Sequence, residues 1–261
     1  MSCQKPVPAA GPLSGSFVFR PAHLALAVVC AAGLATAARA ADIPWVATTG
    51  SFTDAANWSG GVVPTVGDVA IIANGGSATL TLAGGEAYAG PQLAVGRDGT
   101  GSLALAGSGS ASVSGPLDVG FTGAATATPS SGTLAIGAGT TLTLSGGGDM
   151  RVGMGDGAVG GNGSVSIASG GTLVFAAAGR SIIIGDTRDG STSTANLDVN
   201  GTLDVQAGEL QIGRGQGAGG TSTATLTISE GAVVTTNTWT KFGTDIPFGP
   251  AGGGTGRLVM T

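Results

Sequence analysis

Carboxylates are the residues with which this chain could do chemistry. Asp198 and Asp204 stand six positions apart in "NLDVNGTLDV", and Asp186 and Asp189 share "GDTRDG". Two carboxylates at a set separation are what glycosidic cleavage needs, one as acid and the other as base or nucleophile. Calcium has its own candidates, because "GRDGTGS", "GMGDGAVGGNG" and "GDTRDGS" all mix Gly with Asp. Calcium takes several oxygen ligands, and calcium-loaded β-rolls supply them from short repeats in strict register. Here the loops recur only about every thirty residues and their acids do not align. Asp favours turns for reasons of its own, so turn chemistry accounts for these loops and solvated strand positions for the rest. No metal, cofactor or catalytic residue is assigned.

The other catalytic side chains cluster where they are expected to be lost. Residues 1–40 carry Lys5, Arg20 and Arg39 with no acid, and then the apolar run "LALAVVCAAGLATAA" from Leu24 to Ala38. At 15 residues this run is short of the roughly 20 that a spanning helix needs. Ala38-Arg39-Ala40 has the small-x-small form that a signal peptidase cuts, so 1–40 reads as a signal peptide with the mature start at Ala41. Cys3, Cys30 and the only histidine, His23, fall before that cut. The chain from Ala41 onward has no thiolate, imidazole or disulfide and a single lysine, Lys241, which argues against catalysis and against ordinary zinc or copper sites.

Charge narrows the partners. After cleavage 7 basic side chains face 15 acidic ones, a net charge of about −8. An acidic chain without basic clusters is a poor partner for nucleic acid, and this segment offers no membrane-inserting stretch.

What must position any site is a repeat. A short apolar strand ending in Gly returns as "LAVG" (93–96), "LDVG" (117–120), "MRVG" (150–153), "IIIG" (182–185), "LQIG" (210–213) and "TKFG" (240–243). The Gly-to-Gly spacings are 24, 33, 32, 28 and 30, the range of a solenoid turn. Each unit continues with a Gly-rich loop and two more alternating segments, such as "GTLAI" with "TTLTL" and "GSVSI" with "GTLVF". Three period-2 strands per unit give one triangular coil. The expected fold is all-β, a right-handed parallel β-helix of five to six coils of roughly 30 residues, with a cap and first coil over 41–91 and repeated coils over 92–261. The pleat turns Leu117, Val119, Leu134, Ile136, Leu142 and Leu144 inward, and likewise Met150, Val152, Val165, Ile167, Leu173 and Phe175 in the next coil. The "VG" strands then stack Asp118, Arg151, Ile183, Gln211 and Lys241 in one outward, exposed ladder.

"GSFTDAANWSGGVVPTVGDVAII" (50–72) is the most varied stretch of the chain. Trp45, Phe52 and Trp58 gather ahead of the first coil, beside turn formers, as a plug over an open aliphatic core requires. The competing role, a carbohydrate-stacking platform, needs the same tryptophans displayed. Thr-x-Thr in "TSTATLTISEGAVVTTNTWT" is not expected to recur in one register, so no ice-binding face is expected. The last unit has "TKFG" and "GRLVM" but no third strand or aromatic cap, so the C-terminal coil reads as incomplete, part of a longer chain or a truncated descendant of one.

Trp45 and the "GSFTDAANWSGGVVPTVGDVAII" motif, followed by "VG…GTGSLALAGSGSASV", resemble bacterial autotransporter passengers and the related β-helix repeats of PEP-CTERM-sorted surface proteins. The resemblance runs over residues 41–261. It implies an exported, non-catalytic passenger domain at the outer-membrane cell surface or outside the cell, with a structural or adhesin role. A carbohydrate-active or carbohydrate-binding β-helix is the competing function. Implied partners are a host or matrix glycan or protein, or a second copy through the open C-terminal coil. The repeats as given depart from that pattern, since no β-barrel strands and no sorting tail are read after them, and no anchor is assigned.

Overall fold

The computed structural model describes residues 41–188, 190–216, 219–245 and 253–261. The expected leader and Asp189 lie outside them. The described chain is all-β, a parallel β-solenoid of about seven turns spaced about 31 residues apart. A partial turn comes first, β1 (Asp42–Pro44) and β2 (Thr49–Ser51). Six coils follow: β3 (Val69–Leu82) with β4 (Ala87–Gly90); β5 (Gln92–Gly107) with β6 (Ser110–Val113); β7 (Leu117–Thr122), β8 (Ser130–Ile136) and β9 (Thr141–Leu144). Next are β10 (Met150–Asp156), β11 (Gly161–Ile167) and β12 (Thr172–Phe175), then β13 (Ser181–Arg188), β14 (Thr192–Val199) and β15 (Thr202–Val205). The sixth coil is β16 (Glu209–Gly215), β17 (Thr221–Ile228) and β18 (Val233–Thr236), and β19 (Thr240–Asp245) and β20 (Gly253–Met260) add a two-stranded turn.

The first and second strands of each coil belong to one 14-stranded sheet, because β3 and β5 run unbroken through the corner between them. The third strands form a separate sheet in the order β18-β15-β12-β9-β6-β4. The coil formed by β3 and β4 lacks the "VG" phrase. Ala73 follows Ile72 there, and the pairing with β5 slips between Ile72 and Asn74.

Stacking puts like on like. One inward column reads Leu93, Leu117, Met150, Ile182, Leu210, and another Leu103, Leu134, Val165, Leu197, Leu226. All twelve side chains expected inward in the third and fourth coils are at most 1% exposed. Each contributes on the order of 1.5–3 kcal/mol by leaving water, which only a continuous stack permits.

The Gly ending each first-strand phrase makes a bend. Gly96, Gly120, Gly153, Gly185, Gly213 and Gly243 all have φ between 59° and 72°. The ladder skips this position, so Val119 pairs with Val152 and Phe121 with Met154. A Cβ on Gly120 would lie 1.8 Å from the Asn162 carbonyl oxygen, so the site demands Gly for space as well as for φ. Past the bend the strand leaves the aliphatic core and meets the start of the second strand. Hydroxyls fill that interior: Thr122 Oγ1 donates to the Gly160 carbonyl at 3.0 Å and accepts from the Ser130 N–H at 2.9 Å.

Trp45, Phe52 and Trp58 are buried, with Trp58 edge-to-face against both of the others at centroid distances of 5.0 and 4.8 Å. The Trp58 Nε1–H donates to the Phe52 carbonyl at 2.6 Å, and Asp54 caps the short helix Ala55–Asn57 by accepting from the Ala56 N–H. These rings are therefore packed, not displayed. At the other end Phe242, Leu258 and Met260 continue core columns yet are exposed, as is Trp239.

Candidate functional site

Two outward columns of the second strands form a wall of small polar groups, uncharged until Arg257 on β20, with Asp198 beside them as an acid at an outward position of β14. One column runs Thr100, Ser131, Asn162, Thr194, Thr223, Thr255, and the next runs Ser102, Thr133, Ser164, Asn196, Thr225, Arg257. Period-2 alternation sends these side chains outward because Gly132, Gly163 and Ala195 between the columns, and Leu134, Val165 and Leu197 just after them, face the core. Across β8, β11 and β14 the two columns border a shallow hollow of about 240 Å³, lined by Ser131, Thr133, Asn162, Ser164, Thr194 and Asn196 with Gly132 and Gly163. Gly132 and Gly163 are stacked directly on each other, and neither has room for a side chain because the first strand passes close behind. Among the described residues the only hydrogen bond between two side chains of these columns and their continuation into β3 joins Ser77 and Ser102, 2.6 Å apart, and Asn74 at the β3 end bonds to backbone alone. The hydroxyls and amides around the hollow make no hydrogen bond among the described residues.

The first strands present a different surface. Asp118, Arg151, Ile183, Gln211 and Lys241 do stack in one ladder, as expected. The expectation that this ladder is exposed fails: Asp118 is 4% and Ile183 1% exposed. The glycine bend is the reason, since it folds the residues just past it back toward the ladder. Arg151 grips Asp118 through two bonds of 2.6 and 2.9 Å while its guanidinium lies 5.1 Å from the Phe121 ring centre. Arg214 reaches Asp186 of the previous coil with Nε and Nη2 and Gln211 of its own with Nη1. Lys241 donates to both oxygens of Glu209, at 2.9 and 2.8 Å.

All five ion pairs among the described residues lie on first strands and join different turns: Asp42 with Arg97, Asp118 with Arg151, Asp156 with Arg188, Asp186 with Arg214, Glu209 with Lys241. Burial pushes the Asp118 carboxyl above the ordinary range, against the pull of Arg151. The Glu209 carboxyl is held lower, chiefly by the hydrogen bond from Lys241.

The acids weighed for chemistry are scattered. Asp186 is a strand residue, fully buried and engaged by Arg214, not a loop residue beside Asp189. Asp198 lies on β14 and Asp204 on β15, in different sheets. In the Gly/Asp loops, Asp98 accepts from the Gly123 N–H and the Thr126 hydroxyl, both at 2.6 Å, and Asp156 pairs with Arg188. No cluster of metal-ligating side chains occurs among the described residues.

Thr-x-Thr does recur in one register, contrary to expectation, with Thr192 beside Thr221 and Thr194 beside Thr223. The second of these columns passes into Asn162 and Ser131 rather than continuing as Thr. Asn162 and Asn196 do not stand out in the sequence. Their signal is an Asn at an outward pleat position of two consecutive second strands, visible only once those strands are aligned. Among the described residues no helix is long and apolar enough to cross a membrane. Compared with family models, with curated proteins and with solved structures, the chain matches none.

Proposed function

We propose that this chain is an exported β-solenoid passenger segment, surface-exposed or secreted, with a structural and adhesive role and no catalysis. One observation carries the reading. Asp156 and Asp186 are engaged by arginines along the first strands, while two columns of the second strands hold out neutral donors and acceptors over several coils. A rigid, repetitive surface of that kind suits adhesion to an extended partner, because the contact lengthens with each coil. The autotransporter-like motif over 50–72 supports the same reading, as does the leader-like composition of 1–40.

Fractionation of cells producing the full chain, with mass spectrometry of the mature N-terminus, tests it. Cleavage after Ala40 and recovery at the surface or in the medium are expected. Retention in the cytoplasm with Met1 in place would overturn it.

Self-association belongs to the same proposal. The apolar groups exposed on the last turn, Phe242, Leu258 and Met260, form a surface on which a second copy is expected to pack. Sedimentation velocity should show dimers or larger species that Leu258→Asp disperses. A strictly monomeric wild type would remove this part of the reading.

A further inference from the structure

We propose that the hollow along the second strands binds a neutral, linear polysaccharide lying along the solenoid axis, with Asn162 and Asn196 as its specificity-determining residues. The inference rests on the adhesive reading above and names the ligand class for it.

Hydrogen-bonding chemistry comes first. The hydroxyls and amides around the hollow make no bonds to one another, so a ligand meets free donors and free acceptors. A carboxamide presents an acceptor and two donors side by side, which suits adjacent hydroxyls on a sugar ring. Asn162 and Asn196 stand in adjacent columns on directly paired strands, and both border the same hollow. A ring seated there meets an amide from each side.

Geometry adds direction. Stacked strands repeat about every 4.8 Å, so equivalent groups recur along the axis at a step comparable with one sugar of an extended chain. A ligand lying along the axis meets similar groups coil after coil, and one lying across it meets only one set.

Charge and shape exclude the alternatives. No charged side chain lines the hollow, and the chain as a whole is acidic, so an anionic polymer finds no counter-charge. A bound peptide needs either a free sheet edge or apolar pockets for its side chains. The hollow lies on a sheet face and its lining is Ser, Thr, Asn and Gly. No aromatic lines it either, so each sugar is held by hydrogen bonds alone and affinity has to build up over several rings.

Titration calorimetry of the full secreted chain tests this with cellohexaose, laminarihexaose and xylohexaose as neutral probes, their trimers, and hexagalacturonate as the anionic one. At least one neutral hexamer should bind, more tightly than its trimer and independently of salt. Asn162→Leu with Asn196→Leu should weaken that binding by about tenfold or more, the loss expected for two amides' hydrogen bonds, at an unchanged melting temperature. The near-isosteric pair Asn162→Asp with Asn196→Asp should weaken it as well, and Thr143→Leu on the third-strand face should leave it intact.

The inference is overturned if no neutral hexamer binds at millimolar concentration, if hexagalacturonate alone binds, or if both Asn pairs bind like wild type. A surface-display adhesion assay separates the two readings. Adhesion that persists in the Asn162→Leu, Asn196→Leu variant sinks the glycan site but leaves the adhesive role, whereas a displayed wild type that does not adhere sinks the role itself.

Discussion

The corner along the first strands and the wall along the second start from the same pleat: alternate side chains leave the core and stack at the inter-strand spacing. On the wall they stay in contact with water. In the corner the bend at each phrase-ending Gly shelters them, and Asp118, Ile183 and Asp186 are as dry as the core. A sheltered charge needs a partner, and it finds one in the adjacent turn. The difference teaches that on a solenoid "outward" is a statement about the pleat and not about solvent. Where the backbone is straight an outward position is free for a ligand, and where it bends the same position becomes part of the structure.

Several substitutions can break or sharpen that contrast. The largest effect is expected from Gly120→Val. It forces a β-branched residue into positive φ and drives a Cβ to within 1.8 Å of the Asn162 carbonyl oxygen. A loss of more than about 4 kcal/mol, seen as insoluble or unfolded protein, is expected, while Thr133→Val on the wall should stay within about 0.5 kcal/mol of wild type. Comparable denaturation midpoints for the two would show that the bend does not organise the corner.

Arg151→Met comes next. It strips the buried Asp118 carboxylate of its partner, and chemical denaturation should register a cost of about 3–5 kcal/mol. Ser164→Ala on the wall has no partner to lose and should be close to neutral.

Acid titration gives a smaller signal with a defined sign. Because burial raises the Asp118 pKa, the stability linked to its protonation is fully present below its unfolded value of about 3.9 and is lost as pH rises through the folded value. Between about pH 3 and pH 7 the Asp118→Asn variant should therefore gain on wild type in melting temperature. If wild type gains instead, pairing with Arg151 outweighs burial.

Glu209 should behave in the opposite sense and weakly. Its pKa is lowered, so its contribution is present above about 4.3 and fades as pH falls through the folded value. Since Lys241 and Glu209 both remain partly in water, Lys241→Gln should cost no more than about 0.5 kcal/mol at neutral pH. A loss comparable with that of Arg151→Met would erase the distinction between the sheltered and the solvated end of the ladder.

Much of the architecture is legible in the sequence. The returning "VG" phrase and the three alternating strands per unit place the inward side chains of the third and fourth coils, because period-2 alternation leaves one apolar face and stacking leaves one register. The coil at β3 escapes the same pattern, since Ala73 replaces the Gly of the phrase there and no repeat shows. The shelter of the Asp118 ladder escapes it too, since alternation carries no information about how the backbone bends beyond each Gly.

The candidate site is less legible for a related reason. Asn162 and Asn196 sit among Ser and Thr in units of different length, and residues about thirty positions apart become neighbours in space only through the strand pairing. The Thr-x-Thr register is hidden on the same ground.

By itself, then, the sequence determined the repeat, the strand polarity, the aliphatic core and the aromatic plug at Trp45 and Trp58. All of these come from local alternation and composition, which each segment carries whether or not it is folded. Only the tertiary structure decided which outward residues are sheltered and paired, as Asp118 and Asp186 are, and which stay free around a hollow, as Asn162 and Asn196 do. That choice depends on the close passage of one strand behind another at Gly120 and Gly132, a contact between backbones that no side-chain pattern encodes.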